Sequence, residues 1–322
     1  MQTIRLGRTG AEVPAIGVGT WAHGGPSLDE DADSVGWSGH DDEESRRALL
    51  AAWEHGLTHW DTADVYGDGH AEELIGSMWG EVPREEVFLA SKVGWDRGGH
   101  GHYYHPRLVR DHMERSLRLL RTDALDLYYL HHCDFGPDDR YLDDALDLLL
   151  RFREEGKFRF LGLSDWDNGK AARLAPRVDP DVVQPFRNLW DDSYAESGLQ
   201  RWVEGHDAGA CFFSPLKHGL LLGKYPAPQE FPEGDFRRNI PQFADAEALA
   251  RLRRAAEGAR GLFPRHPNPV LHAVVDGLLT GARGACVLLG QRDPRQVAAA
   301  ATLGEPLSDE EAAAVRRLYG EG

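Results

Sequence analysis

The chain has 322 residues, 41% of them hydrophobic, and a formal net charge of −17 from 36 basic and 53 acidic side chains. That balance argues against general nucleic-acid binding, which needs a basic face, and against docking on an anionic membrane surface. An anionic cofactor remains possible, because it needs only a few local cations and helix N-termini.

No stretch approaches the ~20 apolar residues of a membrane span, and Met1–Gly7 has no apolar signal core. The three cysteines, Cys133, Cys211 and Cys286, show no metal-type spacing. A sparse, odd set suits a reducing, cytoplasmic location, with Cys211 and Cys286 read as small buried hydrophobes.

From the N-terminus, "TIRLGRTGAEVPAIG" reads as a small hairpin around Arg8-Thr9-Gly10, followed by a buried strand at Ile16–Gly19. "DDEESRRALLAAWEHG" reads as a helix, with acids in its first turn where the dipole favours them and glycine beyond its end. Seven more strands are predicted: "LTHWD", "VFLASK", "LDLYYLH", "FRFLGLSD", "VVQPF", "ACFFSPL" and "ACVLLG". Between them "AEELIGSMW", "PRLVRDHMERSLRLL", "LDDALDLLLRFREEG", "GKAARLA", "GLQRWVEG" and "NPVLHAVVDGLL" read as helices. Eight βα units in a chain of this size predict one α/β domain over 1–322, a closed (β/α)8 TIM barrel. The longest irregular stretch, Gly223 to Asp245, is rich in Pro, Gly and aromatics, and loops of that length are often functional. A last helix, "LSDEEAAAVRRLYG", starts at a Ser308 cap.

In such barrels the chemistry sits at the C-terminal ends of the strands. Here those ends carry Asp61, Lys92, His131, Ser164, Gln184 and Ser214. Tyr66 follows Asp61 by five residues in "DTADVYGDG". Placed in one pocket, Lys92 would lower the Tyr66 pKa and Asp61 would hold Lys92 charged. His131 could bond a substrate oxygen or assist proton transfer. This set suits protonation of an oxyanion as it forms on a carbonyl. None of the four is a strong nucleophile, so the attacking group should be hydride from a reduced nicotinamide.

The segments "GVGTW", "DTADVYGDGHAEELIG", "SKVG", "LYYLHHCD", "GLSDW", "SPLKHGLLLGKY" and "GQRDPRQV" stand in the order they take in the aldo-keto reductase superfamily, which the chain resembles over nearly its whole length. The resemblance implies a (β/α)8 barrel with an N-terminal hairpin closing its floor, and NADPH, sometimes NADH, bound without a Rossmann fold. It implies a catalytic tetrad of Asp61, Tyr66, Lys92 and His131, with Tyr66 as the general acid. It implies cofactor contacts from Gly19, Thr20 and Trp21, and a carboxamide site of Ser164, Asp165 and Gln184. Phe213 would stack on the nicotinamide. Ser214, Leu216, Lys217, Gly219 and Leu220 would line the pyrophosphate. Gly290, Gln291, Arg292 and Gln296 would surround the 2′-phosphate. Asp165 departs from the family's usual Asn and could only accept from the carboxamide.

A small-molecule carbonyl substrate is expected, framed by candidates Trp21, Trp95, Tyr103, Tyr104, Trp166 and Trp190. The histidines of "DRGGHGHYYHP" lack a carboxylate or cysteine to complete a metal set, and no metal site is expected. A cofactor-binding regulatory subunit with little turnover is the alternative reading. The intact tetrad favours an enzyme. Neither the substrate nor the oligomeric state is legible at this level.

Overall fold

A computed structural model describes residues 2–29 and 32–320. Strands β1 (Thr3–Arg5) and β2 (Glu12–Pro14) pair antiparallel as the predicted hairpin. The next eight strands close a parallel barrel: β3 (Ile16–Gly19), β4 (His59–Asp61), β5 (Phe88–Val93), β6 (Leu125–Leu130), β7 (Phe158–Asp165), β8 (Val182–Pro185), β9 (Gly209–Phe212) and β10 (Ala285–Gly290), with β10 pairing back onto β3. The (β/α)8 expectation therefore holds.

The barrel carries two kinds of core. Between strands and helices lies a broad apolar shell, fed by stripes such as Leu142, Ala145, Leu149 and Phe152 on the helix Leu142–Glu154. Inside the barrel Ala90, Leu127, Tyr129, Val182, Cys211, Cys286 and Leu288 pack together. Leu6 and Val13 of the hairpin region join that interior cluster and plug the N-terminal mouth. This leaves the opposite mouth, at the strand C-termini, as the open one.

The predicted helices form at or near their expected bounds. Asp41 accepts from the Glu44 amide at 2.8 Å and caps Asp42–Glu54. Ser308 and Glu311 complete a capping box on Asp309–Tyr319. "NPVLHAVVDGLL" is not one regular helix: a π turn spans His272–Asp276 between short α segments. There the buried Asp276 carboxylate meets His272 Nδ1 at 2.6 Å and accepts from the Gly304 amide at 2.8 Å. Among the described residues, the helices Ala246–Leu262 and Pro294–Ala300 and the single turn Ser193–Glu196 fall in stretches that the sequence reading did not assign. The first has an apolar stripe diluted by alanine and covers a second apolar cluster with Leu220, Leu221 and Phe243.

Candidate active site

The open mouth leads into a cavity of about 1180 Å³ that runs from Trp95 and Tyr103 past Tyr66 to Arg292 and Ala299. The end that holds Asp61, Tyr66, Lys92 and His131 is built by strand pairing. Asp61 ends β4 opposite Ala90, which puts Lys92 of β5 within reach of it. Lys92 Nζ donates to Asp61 Oδ1 at 2.5 Å, to the Thr62 carbonyl at 2.7 Å and to the Tyr66 hydroxyl at 3.3 Å. Gln184 of β8 donates to the other Asp61 oxygen at 2.8 Å. Both oxygens of this buried carboxylate are thus satisfied, as burial demands.

Tyr66 sits in the tight turn after β4, and the turn is pinned by a close backbone approach. A Cβ on Gly67 (φ +62°) would lie 2.1 Å from the Gly24 carbonyl oxygen, so only glycine fits there. The glycine therefore does more than turn the chain, because it seats the phenol against the loop after β3. Trp21 stacks on Tyr66 with ring centroids 6.2 Å apart, and His131 meets it edge-on at 5.9 Å.

Sequence reasoning expected Lys92 to lower the Tyr66 pKa. The structure reverses the net sign: burial raises it, and Lys92 only partly offsets the rise. Tyr66 is therefore a neutral phenol with a proton to give. For Lys92, burial acts to lower the pKa, but Asp61 and Tyr66 outweigh it and the ammonium is retained. Burial first, then Lys92, drive His131 well below its usual range, so this imidazole is neutral.

Of the residues assigned to a cofactor, Gly19, Thr20, Trp21, Ser164, Gln184, Phe213, Ser214, Leu216, Gly219, Gly290, Arg292 and Gln296 line the cavity. Asp165 does not: its carboxylate turns away to accept from the amides of Cys133 (2.6 Å) and Asp167 (2.7 Å). Lys217 turns its ammonium over the Trp190 ring, 5.8 Å from the centroid. Leu220 is buried in the second apolar cluster. Gln291 is buried and donates towards the Gly17 carbonyl at 3.4 Å.

Trp21, Trp95 and Trp166 line the cavity, whereas Trp190 bonds the Tyr319 carbonyl at 3.3 Å and lies off it. Tyr103 lines the mouth, but Tyr104 is buried, bonding the His132 carbonyl at 2.5 Å. The histidines of the loop after β5 stack in pairs. His100 stacks on His105 at 4.6 Å, and His102 stacks on Tyr141 at 4.2 Å.

The structure adds residues that sequence reasoning did not place. Trp37, His218 and Phe236 complete the aromatic wall around Trp21. Lys224 and Tyr225 join Arg292 at the far end. His218, Lys224 and Tyr225 stand in the quoted segment "SPLKHGLLLGKY", and the length of the Gly223–Asp245 stretch was the available signal for Phe236; Trp37 had none. That stretch crosses to the loop after β3. Gly36 bridges Asp235, whose carboxylate accepts from the Ser38 hydroxyl at 2.5 Å and from Arg237 at 2.6 Å.

Burial lowers Lys224, with Arg292 and then Arg237 adding to it, and burial lowers Arg292, with Arg237 adding to it. An anion between them would relieve this cost. The Ser214 hydroxyl is buried without a partner among the described residues, at a backbone φ of +58°. An elongated cleft with an unpartnered hydroxyl midway and two crowded cations at one end fits a dinucleotide.

Burial also holds His23 and His132 at about 4, and His218 at about 3. Their folded values lie below the unfolded value of about 6.5, so their stability contribution is complete above that pH and is lost as pH falls towards 4. Glu72, raised by burial to about 7, acts in the opposite sense and loses stability as pH rises from about 4.5 to 7. Burial lowers His59 to about 4 and His131 well below its usual range in the same sense, and raises Asp64, Asp165 and Asp276 in the sense of Glu72, so five histidines stand against four carboxyl groups. The urea midpoint is therefore expected to fall between pH 6.5 and 4, and a midpoint that rose on acidification would contradict these assignments.

Among the described residues no helix is long and apolar enough to cross a membrane. The aldo/keto reductase family model matches residues 15–319. The chain is 28% identical over 303 residues to aldo-keto reductase YhdN of Bacillus subtilis, covering 93% of this chain and 87% of that one. It is 32% identical over 243 residues to aldo-keto reductase yakc [NADP(+)] of Schizosaccharomyces pombe, covering 72% of this chain and 66% of that one. The structure of the glycerol dehydrogenase AKR11B4 from Gluconobacter oxydans superposes with a TM-score of 0.79 at 28% identity, over 98% of this chain and 94% of that one.

Proposed function

The chain belongs to the aldo/keto reductase family of oxidoreductases, and from that premise we propose that it is an NADPH-dependent reductase that turns a small-molecule aldehyde, ketone or sugar carbonyl into an alcohol, with Tyr66 as the general acid. The observation that carries this reading is the Tyr66 hydroxyl at the cavity wall, 3.3 Å from a lysine that is itself locked to Asp61.

Gly19, Thr20, Trp21, Ser164, Gln184 and Phe213 would hold the nicotinamide end, with the Phe213 ring offering a flat stacking face. Gln184 donates to Asp61, which leaves its amide oxygen to accept from the carboxamide. Ser214, Leu216 and Gly219 would border the pyrophosphate, and Gly290, Arg292 and Gln296 the 2′-phosphate, with Lys224 as an added cation. The bound cofactor supplies hydride to the carbonyl carbon.

The protein's own part is the proton and its placement. Tyr66 gives its proton to the carbonyl oxygen as negative charge develops there. Lys92 stabilises the phenolate left behind, and Asp61 keeps Lys92 charged and aimed. His131, being neutral, can donate an N–H to the same oxygen without competing for its proton. Trp21, Trp95 and Trp166, with Trp37 and Phe236, present flat apolar faces and keep water from the reacting carbonyl.

The direct test is loss of NADPH absorbance with a panel of aldehydes, ketones and sugars. Cofactor binding without turnover on any of them would favour the regulatory-subunit reading instead. A further expectation concerns Arg292→Ala. A charged hydrogen bond of about 1.5–3 kcal/mol is lost, so NADPH should weaken by roughly 10- to 100-fold and NADH by much less. Fluorescence titration with both cofactors decides this, and equal losses would remove Arg292 from the 2′-phosphate site.

A further inference from the structure

One layer beneath the tetrad, inside the barrel, lies a polar cluster that carbonyl reduction does not use. His59 precedes Asp61 by two residues on β4 and so faces the same interior. Cys211 of β9 and Cys286 of β10 are directly paired across the sheet, and both belong to the interior cluster. The two sulfurs are 3.3 Å apart, and Cys286 Sγ is 3.6 Å from His59 Nδ1. One ligand atom from each of the three residues falls within a 4.8 Å span, and all three side chains are buried.

The surroundings are apolar. Leu6, Val13, Leu127, Val182 and Leu288 enclose the cluster, and among the described residues no carboxylate or carbonyl bonds the His59 ring. Its Nε2 has no partner, so Nδ1, facing a sulfur, is its only engaged edge. Tyr129 lies beside Cys211, and its buried hydroxyl makes no well-formed hydrogen bond. The ring of Tyr129 is pressed onto Gly162, where a Cβ would lie 2.1 Å from a ring carbon, so the phenol is fixed in place. As neutral thiols and a neutral imidazole these groups form only weak contacts, at a cost for each unpaired polar atom.

We propose that His59, Cys211 and Cys286 form a structural site for zinc in the barrel floor, with the Tyr129 hydroxyl as the oxygen closest to a fourth position. Thiolate and imidazole are the ligand types zinc takes, and a structural site closes its tetrahedron with a fourth protein ligand, the position assigned here to Tyr129. Zinc–sulfur bonds of about 2.3 Å and zinc–nitrogen bonds of about 2.0–2.1 Å place tetrahedral ligands roughly 3.5–3.8 Å apart. The 3.6 Å between Cys286 Sγ and His59 Nδ1 matches the sulfur–nitrogen end of that range, and the two sulfurs, now 3.3 Å apart, would part by roughly 0.4 Å to take the ion. Each bound Zn²⁺ displaces one proton from each thiol, so metal, two thiolates and imidazole sum to zero charge. A neutral unit is tolerated in a dry interior where a lone ion is not. Zinc would tie β4, β9 and β10 together directly beneath Asp61 and Lys92.

A second cluster, His40, Asp42 and His70, also converges. It is the weaker cation site. Asp42 and His70 stand in the first turns of two helices, whose dipoles disfavour a cation, and Asp42 already bonds His70 at 2.8 Å.

The test is the metal content of the full chain purified without chelators, by plasma mass spectrometry. About one zinc per chain is expected, falling to near zero in Cys211→Ala/Cys286→Ala and persisting in His40→Ala/His70→Ala. Because the cysteine variant can misfold, wild-type chain is also refolded with Co²⁺, where intense thiolate-to-cobalt absorption is expected. Absence of both zinc and the cobalt band overturns the proposal. So does zinc retained by the double cysteine variant, or a chain two mass units lighter with Cys211 and Cys286 joined as a disulfide.

Discussion

Tyr66→Phe is expected to lower carbonyl reduction by about 10²- to 10⁴-fold, the usual worth of a positioned general acid. NADPH affinity should stay within about threefold of the parent, because the ring and its stack on Trp21 are kept and only the hydroxyl goes. The loss should fall on kcat, since the proton is transferred only as the oxyanion forms. Lys92 and Asp61 cannot substitute for it. The ammonium is already spent on Asp61, the Thr62 carbonyl and the phenol. Steady-state kinetics on any accepted aldehyde, with cofactor titration alongside, checks the expectation. Near-normal turnover would remove Tyr66 from the mechanism, and loss of NADPH binding would show that the substitution had disturbed the cleft instead.

Lys92→Met should damage both chemistry and fold. The side chain is fully buried, and its ammonium is the ionic partner of a carboxylate that is also buried. Removing it leaves Asp61 with the Gln184 amide alone, and breaking such a buried pair costs about 3–5 kcal/mol. Activity should fall by orders of magnitude as well, because the phenolate formed at Tyr66 loses its counter-charge. Adding Asp61→Asn removes the stranded charge. The double variant should therefore recover much of the stability and none of the activity, a coupling that a double-mutant cycle in urea measures. A Lys92→Met chain as stable as the parent would mean that Asp61 escapes the cost by taking up a proton or finding solvent.

The eight strands were legible because parallel barrel strands, buried on both faces, read as short apolar runs bounded by polar ends. The helix Ala246–Leu262 was not. Its buried face is largely alanine, with arginines close by, so the contrast between its faces is weak. The π turn at His272–Asp276 was equally hidden. It coincides with the bonding of a buried carboxylate, which no local periodicity records.

The site divides along the same line. Strand-end position alone pointed to Asp61, Lys92, His131, Ser164, Gln184 and Ser214, because barrel chemistry gathers where strands end. It could not give side-chain direction. Asp165 and Lys217 stand next to cavity residues in sequence, yet Asp165 is taken by the amides of Cys133 and Asp167, and Lys217 by the face of Trp190. Nor could it give the balance of burial against charge that leaves Tyr66 a neutral phenol.

The sequence by itself determined the alternation of elements, the barrel and the residue types at its open mouth, because periodicity and strand ends are local properties of the chain. Only the tertiary structure decided which of those side chains turn into the cavity. It alone brought Lys224 and Phe236 to its wall from the Gly223–Asp245 stretch, and set Cys211 and Cys286 beside His59. Closing a barrel pairs residues hundreds of positions apart, and their facing is fixed by strand register rather than by spacing along the chain.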